Sequence, residues 1–524
     1  TSEFSGNTAL VTLRGTVFED PNYGGGSGRS LAASSGVPVG TAGNPATAAT
    51  VELYDAGGNI VTTTTTSTTA GSLGQYTFSA APGSYTVRVV SNTVRSSRPG
   101  SVAGLLPVQT YRYNDANRVG GEYPARTDAA VNTTSASLNS LTPNAGTTAA
   151  QSIVQLTLPN NSASFTSGVD FGFNFDLVVN TNDAGQGSLR QFTINANTLG
   201  GEASLAQSGS RVNAAGTTVA LPAGKETSIF MIPNGSAVAG LTAYNAGTNP
   251  GLISQLTSGV ATISQGSFLN LTGTSAATAV YAANTIIDGT TQTANVGNTN
   301  TGTATNAAAT TVGTDGVALP ALQRPEVELL STGGATQIAV DAANVTLRGL
   351  AVHGGTARSI RVGNASASSG YLLENLLVGT TTTGVRPTSS ISNYGIELAA
   401  NSGVGTVQNN LIGFTNNTGL RVYNGTGTTG TNQILSNFFV SNGFTVGTGD
   451  GLSFGEVSLA GPANVVGNSI ASTNGSGIHF EIGSTSSTTV TNNTITGAGD
   501  AGTGSTASAV EGSGIDYVQR TGAL

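Results

Sequence analysis

The feature that most constrains this 524-residue chain is a repeat in its C-terminal part. An apolar residue is followed five positions later by another at Leu347/Val352, Leu373/Val378, Val407/Ile412, Ile434/Phe439, Val465/Ile470 and Val490/Ile495. The last four pairs carry Asn at the third position, as Asn410, Asn437, Asn468 and Asn493. After each pair comes a small–apolar–x–apolar element, at Ser359–Val362, Gly395–Leu398, Gly419–Val422, Gly451–Phe454, Gly477–Phe480 and Gly514–Tyr517. From the second anchor of each pair to the first apolar residue of the following element the distances are 8, 18, 8, 13, 8 and 20 residues. A recurring minimum with additions at one corner is the pattern of stacked coils, here of about 26 residues (Leu347 to Leu373), with loops inserted on one side.

Stacked parallel strands lie about 4.8 Å apart, so like side chains fall above one another. Apolar columns then fill a core that no single coil could form. Asn repeated at a turn tolerates left-handed backbone and can bond to the next Asn in a ladder, and Gly permits tight corners. The composition agrees. Only 8 % of residues are charged, 74 are Gly, β-branched residues abound, and helix formers are scarce. The segments TIIDGTTQT (285–293), RPEVELL (324–330) and NVTLRGLAVHGG (344–355) also resemble the repeats of right-handed parallel β-helices. The expected fold class is therefore all-β: an N-terminal β-sandwich over 1–176 and a right-handed parallel β-helix solenoid over 177–524.

Short alternating runs mark the N-terminal part: Val11–Leu13, Thr16–Phe18, Val51–Tyr54, Tyr76–Phe78 and Tyr85–Val89, with a hairpin turn at Asp55–Asn59. GTVFEDPNYGGG (15–26), VELYDAGGNIVTTTT (51–65), GQYTFSAAPGSYTVRVV (74–90) and the closing VDFGFNF (169–175) resemble the prealbumin-like B-type repeat domains of bacterial surface proteins. Residues 95–165 read as a long insertion, largely loops, given a basic bias by Arg95, Arg98, Arg112, Arg118 and Arg126. Some domains of that family carry a Lys–Asn crosslink, which is excluded within 1–176 because the single Lys is Lys225. Others bind calcium after the first strand. Glu19, Asp20 and Asn22 match the start of such a loop, but Gly24, Gly25 and Gly26 stand where more oxygen ligands are expected, so a solvated Gly-rich turn is the alternative. Leu189, Phe192, Ala196 and Leu199 share one helical face behind Ser188, predicting a short capping helix, with a strand and turn as the alternative. NTNDAGQGSLRQ (180–191) resembles the segment that leads into a β-helix in bacterial surface proteins.

Several function classes are excluded. With no Cys there is no disulfide framework, thiolate nucleophile or Cys-based metal site. A net charge of −8 with one Lys argues against a nucleic-acid partner. No apolar run reaches the ~20 residues of a membrane helix, and a start at Thr1 without a leader pattern reads as a processed or excised chain. β-Helices also carry lyases and glycosidases, so a catalytic face is weighed. Arg361, Glu397, Arg421, Ser453, His479 and Asp516 each follow an inward anchor and should form one outward row, read as cross-strand charge pairing. Asp450, Glu456 and Glu481 are the other local carboxylates, and His353 and His479 read as surface histidines. None completes the clustered set that galacturonases display. The sequons at Asn270, Asn344 and Asn424 carry little weight in a chain so rich in Asn and Thr.

The resulting expectation is a non-enzymatic, extracellular structural or adhesive surface protein of bacterial type. Its stiff rod would present the corner loops 379–394, 440–450 and 497–513 to cell-surface glycans or neighbouring protein subunits. The alternatives are a polysaccharide lyase or glycoside hydrolase, and a self-assembling filament or sheath subunit. No catalytic residue is assigned, and calcium is the one cofactor considered.

Overall fold

The computed structural model describes residues 10–142, 146–160, 165–242, 253–267, 269–272, 282–333, 336–388, 391–423, 430–444, 449–455, 461–481, 488–499 and 512–518. They group into two compact units. The first runs up to Ser210 and adds Ala220–Gly224 and Ile229–Gln255; the second holds Arg211–Val219, Lys225–Ser228 and the chain from Leu256. The first unit thus extends beyond residue 176, where the sequence pattern changes.

In the first unit two sheets face one another. One is built on Val11–Glu19, which runs parallel to Phe165–Thr166 and Phe171–Asn174 and antiparallel to Val37–Pro38 and Gln75–Ala80; Val108–Arg112 adds to Phe171–Asn174. The other orders Ser152–Leu158, Gly83–Val89, Thr50–Asp55 and Ile60–Thr65, all antiparallel. Their inward residues, among them Leu13, Val17, Leu53, Val87, Val154 and Phe171, form one buried core. This is a β-sandwich. The two runs 11–13 and 16–18 are a single strand because Gly15 needs no room for a side chain. A Cβ there would lie 1.9 Å from the Val169 carbonyl oxygen.

The insertion is not a set of loops: Val108–Arg112 and Ser152–Leu158 are sandwich strands. Nor is its basic bias a surface property. Arg98 pairs with Asp176 at 3.2 Å, Arg112 with Asp115 at 3.0 Å and with Glu122, and Arg118 lies 3.6 Å from Asp115. Beneath the insertion Arg88 is fully buried between Glu52 at 2.7 Å and Asp128 at 3.2 Å. The predicted helix is present as Leu189–Ala196, with the Ser188 side chain accepting from the Gln191 amide. Its apolar face is buried within the first unit, Leu199 packing with Leu105 and Phe175.

Among the described residues the second unit is built on three parallel sheets of eight strands each, so successive coils contribute one strand to every sheet. The repeat predicts the register. Leu347, Leu373, Val407, Ile434, Val465 and Val490 stack as one column of the first sheet. Val352, Val378, Ile412, Phe439, Ile470 and Ile495 stack in the second. Ile360, Ile396, Leu420, Leu452, Ile478 and Ile515 stack in the third. This is a β-helix solenoid.

Between the first and second sheets runs the Asn ladder. Asn410 Nδ2 donates to Asn437 Oδ1 at 2.9 Å, Asn437 to Asn468 at 3.0 Å, and Asn468 to Asn493 at 2.8 Å. Each of these Nδ2 groups also reaches a backbone carbonyl of the neighbouring coil, as from Asn437 to Val407 at 3.0 Å. The left-handed backbone is not at these residues but one position earlier, at Asn409, Ser436, Gly467 and Asn492. The turn divides its two demands: one residue takes the strained backbone, and the next turns inward to satisfy buried amides.

The outer side of the second sheet is covered. Segment 299–326, inserted into the second coil, carries the hairpin Thr310–Val312 and Val317–Leu319. Its Ala304, Ala307, Val312, Leu319 and Leu322 pack on Ala351, Leu377, Leu411 and Phe438 of four successive coils. The Gly313 amide donates to Thr494 Oγ1 at 3.0 Å, in the last coil. The segment is a lengthwise strap. The pairs Leu377-Val378, Leu411-Ile412 and Phe438-Phe439 carry its trace in sequence, because two consecutive apolar residues in a strand mean that both faces are buried.

Candidate functional site

Glu19, Asp20 and Asn22 do not converge on a cation site. Glu19 is fully buried at the end of the first strand and accepts from Ser96 Oγ at 2.8 Å and from the Ser97 hydroxyl and amide. Both Asp20 oxygens face Arg29, at 2.9 Å from Nε and 2.5 Å from Nη2. Asn22 Oδ1 accepts from the Ala206 amide at 2.8 Å. Burial raises the Glu19 and Asp20 carboxyls above their ordinary values, against these hydrogen bonds. A hard cation needs six or more oxygens, and these oxygens are already engaged, so the set does not fit calcium. Among the described residues no group of three or more His, Asp or Glu side chains is placed to hold a metal.

The outward row expected on the third sheet does form. Arg361, Glu397, Arg421, Ser453, His479 and Asp516 occupy one register position in six successive strands. Its centre is Glu397, whose carboxylate is fully buried among three guanidinium groups. Arg361 Nε lies 2.9 Å from Oε1, Arg358 Nε approaches the same oxygen, and Arg421 Nη1 lies 3.4 Å from Oε2. Two aromatic rings frame them. The Arg421 guanidinium sits 4.7 Å from the Tyr394 ring centre and 5.1 Å from that of Tyr423, and Arg358 lies 5.9 Å from Tyr394. Arg361 Nη2 also donates to the Tyr423 hydroxyl at 3.3 Å. Burial raises the Tyr423 phenol, and the neighbouring Glu397 adds to it, so Tyr423 stays a neutral donor and acceptor.

Farther along the row His479 Nδ1 lies 3.0 Å from Asp516 Oδ2. On the other side of His479 stands Ser453, whose buried Oγ has no hydrogen-bond partner among the described residues. The order serine–histidine–carboxylate is that of a nucleophile, its base and the group that orients the base. Here the serine hydroxyl is closed off from solvent.

Three members of the Glu397 cluster escape the sequence pattern. Strict alternation from Ile360 and Ile396 would turn Arg358 and Tyr394 inward, yet both start strands at a corner and join the outward cluster. Tyr423 follows anchor Val422 at a strand end, a position the row did not include. The other candidates are structural. His353 is not a surface residue: it is buried, with Nε2 2.9 Å from Glu328 Oε1. Asp450 accepts from the Ser476 amide at 2.7 Å, and Asn344 donates to Asn284 Oδ1 at 3.2 Å. Asn270 lies within strand Leu269–Thr272 and Glu481 ends strand Ile478–Glu481; Glu456 and Asn424 lie outside the described residues.

The corner loops are less free than expected. In 379–394 the Thr383 and Gly384 carbonyls accept from Thr305 N at 2.9 Å and Asn306 Nδ2 at 2.7 Å. The Arg386 guanidinium lies 3.6 Å from the ring centre of Phe444, in 440–450. Asn442 is buried and accepts from Thr415 Oγ1 at 2.8 Å. Residues 389–390, 445–448 and 500–511 of these loops lie outside the described residues.

A cleft of about 440 Å³ opens beside the first turn, lined by 212–216, Thr290, Thr293, Arg324, Glu326, Asn375 and Asn409, among others. Its ionic groups are spent on the backbone. Arg324 Nε donates to the Thr303 carbonyl at 3.2 Å, and the Glu326 carboxylate accepts the Thr299 and Asn300 amides at 3.1 and 3.2 Å. The Glu397 cluster is therefore the better candidate for recognition.

Residues 33–105, within the sandwich, match a family described as "Protein of unknown function (DUF1416)". No curated protein and no solved structure matches the chain. Among the described residues no helix is long and apolar enough to cross a membrane.

Proposed function

We propose that this chain is a non-enzymatic extracellular surface protein of bacterial type, whose solenoid is a stiff scaffold presenting its third sheet to cell-surface glycans. The observation that carries this reading is the Glu397 cluster. Three guanidinium groups and two tyrosine rings are held on successive strands of a rigid sheet, while the strap covers the second sheet. Rigid strands keep recognition groups in place without an ordering cost on binding. The likeness of 15–26, 51–65, 74–90 and 169–175 to prealbumin-like B-type repeats supports a cell-surface setting. The corner loops have a lesser part than their lengths suggest, because their described residues pack on the scaffold.

The test is antibody labelling of intact source cells, joined to adhesion of beads coated with the purified chain. Surface labelling and glycan-dependent adhesion support the reading; labelling seen only after lysis overturns it.

A second reading, a hydrolase acting on polysaccharide, draws on the row Ser453, His479 and Asp516. A serine-directed phosphonate probe, with release of reducing sugar, unsaturated product or ester acid as readouts, decides it. Labelling at Ser453 with turnover lost in Ser453→Ala would replace the first reading, whereas no labelling leaves that row structural.

A further inference from the structure

We infer that the cleft between the strap and the corner joining the first and second sheets is a binding site for a short, uncharged oligosaccharide. It lies away from the third sheet and does not depend on the reading above. The cleft measures about 440 Å³, within the roughly 300–1,000 Å³ usual for small-molecule sites. Its walls come from separate parts of the solenoid unit: the turn 213–216, helix Thr290–Val296, strap residues 320–326, and Gly349, Asn375 and Asn409 at the corner of three successive coils.

The walls are built in advance of any ligand. Asn213 Oδ1 accepts from the Ala215 and Thr217 amides, both at 3.0 Å, which closes its turn. At the base of the strap the Arg324 amide donates to the Gly302 carbonyl at 3.0 Å and the Leu322 amide to the Ala307 carbonyl at 2.9 Å. At the corner the Gly349 amide donates to the Asn375 carbonyl and the Asn409 amide to the Leu435 carbonyl, both at 3.1 Å, tying each coil to the next. A preformed site spends little binding energy on ordering itself.

The lining selects the ligand. Among the described residues its two charged side chains are Arg324 and Glu326. Arg324 donates through Nε and Nη1 to the Thr303 and Thr301 carbonyls at 3.2 and 3.4 Å, and Glu326 accepts the Thr299 and Asn300 amides. Both are held by backbone groups and their charges are opposite, so an ionic ligand gains little by entering. What remains is carboxamide. The side chains of Asn298, Gln323, Asn375 and Asn409 bond to no described residue. Each carries two donors and an acceptor, a match for adjacent hydroxyls, which both give and take. Val212, Leu322, Pro320 and Pro325 add apolar surface for the C–H face of a sugar ring. Asn375 and Asn409 stand one coil apart, about 4.8 Å at the usual parallel spacing, so a single ring meets both.

Backbone demands do not account for these two amides. Asn375 and Asn409 have left-handed φ values of 52° and 51°, but the same corner position is Gly349, Ser436 or Gly467 in other coils. The turn thus accepts residues without an amide. Asn375 Oδ1 is also closed to solvent with no hydrogen-bond partner among the described residues. Such a group calls for a partner, and turning this half-buried side chain onto a ligand hydroxyl supplies one.

The experiment is calorimetric titration of the full chain with cellotriose and chitotriose as uncharged probes, alongside trigalacturonate and tetraglycine. An uncharged trisaccharide is expected to bind, with an affinity that salt does not change. Asn375→Gly/Asn409→Gly keeps the left-handed backbone and is expected to weaken that binding at least tenfold. Ala215→Trp, on the exposed turn of the opposite wall, obstructs the cleft without touching the corner and is expected to do the same. Unfolding midpoints control for folding; should the double variant unfold, Ala215→Trp decides. Failure of both uncharged trisaccharides to bind, equal binding by correctly folded cleft variants, or tighter binding of trigalacturonate or tetraglycine overturns the inference. None of these outcomes bears on surface labelling of cells, so this site and the functional reading stand or fall separately.

Discussion

Replacing Asn437 by Ala removes four hydrogen bonds from the middle of the Asn ladder. Its Nδ2 donates to the Val407 carbonyl and to Asn468 Oδ1, both at 3.0 Å, and its Oδ1 accepts from Asn410 N at 3.1 Å and Asn410 Nδ2 at 2.9 Å. Every residue involved is buried, so water cannot take over the abandoned groups. At about 0.5–1.5 kcal/mol for each bond, with an added penalty for the orphaned Asn410 amide, the loss is expected near 3–5 kcal/mol. Asn493→Ala removes the same kind of contact where the ladder is only half-buried and the carbonyl of the exposed Thr491 can rehydrate, so a smaller loss of about 1–2 kcal/mol is expected. Guanidinium unfolding followed by far-ultraviolet circular dichroism measures both. Stacked coils unfold through nearest-neighbour terms, so hydrogen exchange at Leu376, Asn410 and Asn437 is needed to locate the loss. A cost for Asn437→Ala within about 0.5 kcal/mol of zero, or equal costs at the two positions, refutes the claim that burial of the ladder carries its stability.

Other predictions address the remaining buried groups. Arg88→Met strands Glu52 and Asp128 in the sandwich without their cation and should cost about 3–5 kcal/mol in thermal or denaturant unfolding; a loss below about 1 kcal/mol would show that the insertion admits water. Replacing 308–321 by a short Gly-Ser linker uncovers Leu377, Leu411 and Phe438, each contributing about 1.5–3 kcal/mol when buried. Light scattering should then reveal association, and a monodisperse variant of unchanged stability would contradict the strap. Burial holds Glu19, Asp288 and Glu326 above their ordinary values. A carboxyl raised in the folded state contributes most below its unfolded value and loses that contribution as pH rises through the folded one. Their part of the stability is therefore expected to decline as pH rises above the ordinary carboxylate range, and Asp288→Asn should flatten the solenoid's share; an unfolding midpoint with the same pH slope in that variant would count against it.

Much of the solenoid is legible in its sequence because stacking imposes one rule many times. An apolar residue at the same offset in six coils has one common fate, so Leu347 and its successors, Val352 and its successors, and Ile360 and its successors fall in register as their spacing predicts. The sandwich strands at 51–54, 76–78 and 85–89 are legible for a related reason: alternation with period two survives wherever one face is buried. The charge row on the third sheet follows from that same alternation.

Tertiary structure decided whatever happens once. The insertion 95–165 has no repeat to announce that Val108–Arg112 and Ser152–Leu158 are sandwich strands, and its arginines read as basic until their buried carboxylates are in view. Arg358 reaches Glu397, and Tyr394 reaches the guanidinium groups around it, because corners rotate strand ends out of strict alternation. The strap touches coils far from it in sequence, linking Gly313 to Thr494. Sequence alone determined the periodic core of this protein, since one local rule is enforced at every coil. The cluster around Glu397 depends on single long-range contacts, and only the folded chain brings those together.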